Sequence, residues 1–211
     1  MLRSACHVNP ELTAERAIQA LQAAKLYMID ALESHCLSYL RALKEPGAVL
    51  RAMTAAAKAS FCLPIEVQHS FWCNLLFRSQ EVLESPAFLE AHGSIISRLI
   101  QLEEFQVAES RLWSRLLDWT LRAVQQPELL GSYADLTAVS SEKRLKSPTE
   151  ALGGNEQALQ EAILREMSKH IRFVAMSKDF FFDKARRYLS REDSEAVMMR
   201  PAVILYSVAL E

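Results

Sequence analysis

The residues best suited to chemistry are five histidines, four cysteines and a few carboxylates. The cysteines are Cys6, Cys36, Cys62 and Cys73, with no C-x-x-C pair and no histidines at zinc-site spacing. Cys36, Cys62 and Cys73 each lie in or beside an apolar stretch, where a free thiol acts as a small buried hydrophobe. His7, His35, His69, His92 and His170 fall in no nucleophile motif, and none shares a helix face with two carboxylates. His35 and Cys36 are neighbours in sequence, so they point to different faces of a helix. Glu103-Glu104 reads as the negatively charged first turn of a helix rather than a general acid–base pair. The residual enzymatic reading is a site assembled from Cys36, His69 or Glu109, which predicts a pocket with perturbed titration. The expectation is a non-enzyme with no catalytic residue, no metal and no cofactor.

Composition agrees with that expectation. Of 211 residues, 50% are hydrophobic and 24% charged, the balance of a folded chain. Lys+Arg number 24 against 26 Asp+Glu, a net charge of −2, so no global field draws the chain to nucleic acid or an anionic membrane. The best basic cluster, Lys184, Arg186, Arg187 and Arg191, is flanked by Asp183, Glu192, Asp193 and Glu195, the pattern of a salt-bridged, solvated face. Only five glycines leave little material for phosphate-cradling loops. No apolar run reaches the roughly 18 residues needed to cross a bilayer. The first residues lack the apolar core of a signal peptide. With unpaired thiols, the expected location is cytoplasmic or nuclear.

The elements that must position these groups are helices. Apolar residues recur at intervals of three and four almost throughout. Leu12 to Tyr27 predicts a helix capped by Thr13, with Ala14, Ala17, Ile18, Leu21, Ala24 and Met28 on one stripe. Asp30 followed by Glu33 resembles a capping box opening a second helix through Leu43. Pro46 begins a third, Ala-rich helix to about Ser60, and a fourth runs from about Ile65 to Val82. Ser85-Pro86 starts a short helix, another covers Ser94 to Gln101, and a long one covers roughly Glu104 to Gln125. From about 126 to 155 the chain is rich in Ser, Pro and Gly and reads as a flexible insertion. Helix resumes near Glu156 to Lys169, and Ser177 caps another containing Phe180-Phe181-Phe182, of which two are expected in the core. The apolar segment 201–211 is a tail of undecided structure. The predicted class is all-α, as stacked antiparallel helix pairs in the manner of an α-solenoid.

Four blocks in order resemble the BACK domain that follows the BTB domain of cullin ubiquitin-ligase adaptors. The first is Ala17-Ile18-Gln19-Ala20-Leu21 to Met28 with Cys36-Leu37-Ser38-Tyr39-Leu40, similar to the helices that end a BTB domain. The second is Phe71-Trp72-Cys73-Asn74-Leu75-Leu76 with Val82-Leu83-Glu84-Ser85 and Phe88-Leu89; Phe71 stands where Cys is usual and Ser79 where Asn is usual. The third is Glu109, Leu112-Trp113, Leu116 and Trp119, matching the family spacing at each step. The fourth is Ile171-Arg172-Phe173-Val174-Ala175-Met176-Ser177, with Val174 where Pro is typical.

The resemblance implies a BTB-like end at 1–44, a BACK-like helical domain at 45–200 and the tail at 201–211. It implies a protein-interaction adaptor that holds a target near a cullin assembly for ubiquitination, with a cullin and a protein substrate as partners. It makes Glu109 a structural residue. By position it places partner contact on the third helix, at Val49, Leu50 and Met53. The bulk of a BTB domain, with its dimer interface, is outside the resemblance, so dimerisation is not expected. The competing reading is a generic α-solenoid scaffold that binds proteins and has no ubiquitin role.

Overall fold

A computed structural model describes residues 12–134 and 153–199 of the chain. These divide into two compact units, 12–106 with 126–133, and 107–125 with 134 and 153–199. The regular structure is helical in both, and no strand occurs among the described residues, so the protein is all-α. No helix among them is long and apolar enough to cross a membrane.

The first unit is built from α1 (Ala14–Leu26), α2 (Asp30–Ala42), α3 (Pro46–Lys58), α4 (Ile65–Phe77), α5 (Ser79–Glu84) and α6 (Gly93–Gln101). A 3₁₀ turn at Pro86–Glu90 precedes α6, and of two more, Pro127–Leu129 and Gly131–Tyr133, the second packs against α6. Thr13 caps α1 by accepting the Arg16 N–H at 3.3 Å. The stripe Ala14, Ala17, Ile18, Leu21 and Ala24 is buried against α2 and α3. Ala52 and Ala56 on α3 are buried as well, and side chains this small let helix axes approach closely. Glu45 opens α3 by accepting the Gly47 and Ala48 N–H groups.

α1 and α3 end in the same way. Met28 and Ser60 adopt left-handed backbone, φ 53° and 49°, and the next N–H groups, of Ile29 and Phe61, return to Ala24 O and Ala56 O at 2.8 Å. A non-glycine residue in that region costs about 1 kcal/mol. The turn from α1 therefore carries Met28 away from the helical stripe, and Met28 is exposed rather than buried.

Three sequence expectations change here. The fourth helix breaks at Arg78, because Asn74 Nδ2 and Arg78 Nη1 donate to Lys44 O while the buried Ser79 hydroxyl donates to Gln106 O at 3.0 Å. The opening of the expected loop at 126–155 is packed: Leu129, Leu130 and Tyr133 are buried on the first unit. Residues 135–152 of that insertion, and the tail 201–211, lie outside the described residues. The division expected between 44 and 45 falls inside the first unit, where α1 packs directly on α3.

The second unit pairs α7 (Glu109–Gln125) with α8 (Gly153–Ser168), followed by α9 (Arg191–Met199). Leu112, Trp113, Leu116, Trp119, Thr120 and Ala123 form the buried stripe of α7, and Ile163, Leu164 and Met167 that of α8. Gln160 Nε2 on α8 donates to Thr120 Oγ1 on α7 at 3.3 Å, satisfying a buried hydroxyl. Between α8 and α9 the chain makes short turns: 3₁₀ at Phe173–Ala175, one α turn at Lys178–Phe180, a π turn at Phe181–Ala185 and 3₁₀ at Arg186–Tyr188. Of the three consecutive phenylalanines only Phe181 is fully buried, and Phe182 is 47% exposed.

Candidate interaction site

The residues expected to meet a partner do not reach the surface. Val49 and Leu50 are 0% exposed and Met53 is 6% exposed. The cause is the position of α3, which packs against α1, α4 and the Pro86–Glu90 turn at once. Its apolar side chains are consumed by those neighbours. What α3 leaves outside is charged, and Arg51 is engaged with Glu15 and Glu45 at 3.4 Å each. An apolar anchor on α3 is therefore unavailable in this fold.

Exposed apolar side chains lie elsewhere on the first unit. Leu26, Tyr27, Met28 and Ile29 form the α1–α2 turn, with Met28 85% exposed. α4 exposes Ile65 and, at 93%, Phe77. Four consecutive large apolar residues facing water carry a hydration cost that a bound surface removes. Sequence periodicity missed this turn because Met28 falls in register with the α1 stripe; the left-handed backbone that ends the helix carries no strong signal at a methionine.

Of the candidate catalytic residues, Cys36 and His69 belong to the first unit and Glu109 to the second. Cys36 is buried in α2, and burial pushes its thiol up from the ordinary range. His69 instead sits beside the exposed Cys73, with Sγ 3.8 Å from Nδ1 and 3.9 Å from Nε2, a pair set one turn apart on α4. No group of three or more His, Cys, Asp and Glu among the described residues is arranged to hold a metal ion.

Glu109 is the centre of a different arrangement. It is 8% exposed at the start of α7, and its Oε1 accepts from Arg172 Nε at 2.5 Å. Oε2 accepts the Arg172 backbone N–H at 3.4 Å. The helix start adds a favourable field for the carboxylate. One turn along, Trp113 donates Nε1–H to Lys184 O at 3.1 Å and meets Phe173 edge-on at 5.2 Å and Tyr188 at 5.8 Å. Phe181 meets Phe173 in turn at 5.9 Å. The carboxylate is thus tied to the backbone and side chain of Arg172, with one hydrogen bond at each oxygen, a role that positions structure.

His92 is the matching polar feature of the first unit. It caps α6, its Nδ1 lying 2.8 Å from Ser94 Oγ and accepting the Ser94 N–H at 3.4 Å, while its own backbone N–H donates to Thr54 Oγ1. A Cβ on Gly131 would meet the His92 ring at 2.4 Å, and one on Gly93 would meet Leu130 O at 2.0 Å. Those two glycines let the 126–133 segment close over the start of α6. Burial, and secondarily the Lys58 charge, hold the His92 imidazole below its ordinary range.

No family model matches the chain, no curated protein matches it, and no solved structure matches it.

Proposed function

We propose that the chain is a non-enzymatic protein-interaction adaptor of the BTB-BACK type, a rigid helical module that holds a bound target close to a cullin-based ubiquitin-transfer assembly. The observation that carries the reading is the join between two of the blocks on which the resemblance rests. Glu109 from one meets Arg172 from the other, 63 positions away, and Trp113 meets Phe173 beside them. Blocks that were read as separate stretches of helix patterning are parts of one packed feature, which favours a common origin for their order and spacing. The conspicuous carboxylate is engaged in structure, which favours binding over catalysis. The exposed α1–α2 turn supplies apolar surface for a partner, and under this reading the contact expected on α3 moves to Leu26, Tyr27 and Met28.

The test is a pull-down of a cullin N-terminal region by the purified chain, bare and fused to a BTB domain. The adaptor reading expects retention by the fusion, weakened by charge at Met28. Failure of both forms to retain the cullin, with the chain folded, would transfer the weight to a helical scaffold without a ubiquitin role.

A further inference from the structure

We propose that His69 and Cys73 on α4 are half of a Cys₂His₂ zinc site, which a second copy of this chain completes. The two side chains are exposed and lie one helical turn apart, with Sγ 3.8 Å from Nδ1 and 3.9 Å from Nε2. Zinc binds thiolate sulfur at about 2.3 Å and imidazole nitrogen at about 2.0–2.1 Å. A sulfur–nitrogen separation of 3.8 Å then spans an S–Zn–N angle of about 120°, close to tetrahedral. Thiolate and imidazole together suit zinc and reject the hard cations magnesium and calcium. On binding, each thiol gives its proton to solvent, and two thiolates balance the charge of one zinc ion. Structural zinc takes four protein ligands, and α4 of one chain offers two.

The exposed face of α4 carries the pattern of its own complement. Ile65, His69, Cys73 and Phe77 recur every four residues along one row of the helix. All four are exposed, Ile65 at 73% and Phe77 at 93%. The row is symmetric about the level of Phe71. An antiparallel copy of α4, related by a two-fold axis at that level, therefore sets His69 against the copy's Cys73 and Ile65 against the copy's Phe77. A crossing of about 50° lays the two rows alongside each other. A two-fold interface needs such a self-complementary patch, the same on both subunits. The two Ile–Phe contacts bracket the ion, one turn away on each side, and withdraw apolar surface from water. Four apolar side chains bury well under the roughly 1,200 Å² of a stable interface, so the ion must hold the pair together. The chain is then a monomer at this face without zinc and a dimer with it.

Analytical ultracentrifugation of the full chain, kept reduced with a phosphine, tests this in zinc and in chelator. The expected result is a monomer in chelator and a dimer in zinc, with one ion bound per two chains. Cobalt in place of zinc should give the thiolate charge-transfer band and the intense visible absorption of a tetrahedral site. His69→Ala and Cys73→Ser change exposed positions, so far-UV helicity should be unchanged, while zinc affinity falls at least about tenfold and the dimer is lost. Phe77→Asp leaves all four ligands in place and should weaken the dimer about tenfold. Cys62→Ser, at the other exposed thiol of the first unit, should alter neither. No zinc uptake, one zinc on each monomer, a dimer that persists in chelator, or zinc dimerisation undiminished in Cys73→Ser would overturn the proposal.

Discussion

The two units solve the same problem, closing an all-helical core, with different chemistry. The first sets its buried aromatics, among them Phe71, Phe88 and Phe105, between aliphatic helix stripes: α1 and α3 approach over buried alanines, and its buried polar side chains are only Thr54 and Ser79 among the described residues. The second is aromatic and polar at its centre, with Trp113, Phe173, Phe181 and Tyr188 in edge contacts around the Glu109–Arg172 pair. Aliphatic helix stripes tolerate small adjustments, whereas directional contacts between residues far apart in sequence fix one geometry. The comparison places the directional long-range contacts in the second unit and the exposed apolar turn in the first.

The largest expected effect sharpens that contrast in the second unit. Trp113→Ala removes the ring on which the aromatic cluster converges and should cost about 4 kcal/mol. Hydrogen exchange should show the loss in the second unit alone. In the first unit the matching break is Met53→Glu, which buries an unpaired carboxylate where exposure is 6% and should cost about 3 kcal/mol. Urea titration followed by circular dichroism measures it. An exposed Met53 would instead change stability by less than about 0.5 kcal/mol, which would contradict the interior position of α3.

A smaller effect is expected from Glu109→Gln. The carboxylate is buried but its Arg172 partner is 66% exposed on the side chain, so solvent screens part of the pair. A loss of about 1–2 kcal/mol is expected, with Arg172→Gln alone costing less because Glu109 keeps its helix-start field. A double-mutant cycle gives the coupling directly.

The pH response belongs to the first unit. His92 is held below the ordinary histidine value of 6.5, so folding disfavours its protonated form. The unfolded chain therefore binds this proton more readily, and stability is fully present above 6.5 and lost as pH falls below it towards the folded value. Protonation also removes the Nδ1 acceptor that caps α6. Lys58 is the neighbouring charge that opposes it. The acid-side loss should flatten in His92→Asn, which can still cap but does not titrate.

Legibility followed the distinction between local and long-range contacts, in both units alike. The stripes of α1, α3, α7 and α8 were readable because each buries residues at three- and four-residue spacing on a continuous helix. The capping role of Thr13 was readable for the same local reason. The surface role assigned to Val49, Leu50 and Met53 was not, because periodicity shows that a face is apolar and says nothing of how many neighbours share it. Arg172 as the partner of Glu109 was hidden by a separation of 63 positions in sequence. The turns at 173–188 were hidden because α, 3₁₀ and π geometries follow one another there, and consecutive phenylalanines have no single period. His92 read as an interruption beside Gly93, while its clamp on Gly131 is a tertiary fact.

The most direct test of the account is a calorimetric titration of a cullin N-terminal region into the BTB-fused chain, run beside the same fusion carrying Met28→Asp. Met28 is exposed, so the substitution leaves the core intact. The account predicts saturable binding by the parent and at least about a tenfold loss in the variant, equivalent to about 1.4 kcal/mol. Equal affinity of the two would contradict the placement of the contact, and absence of binding by the folded parent would contradict the adaptor function itself.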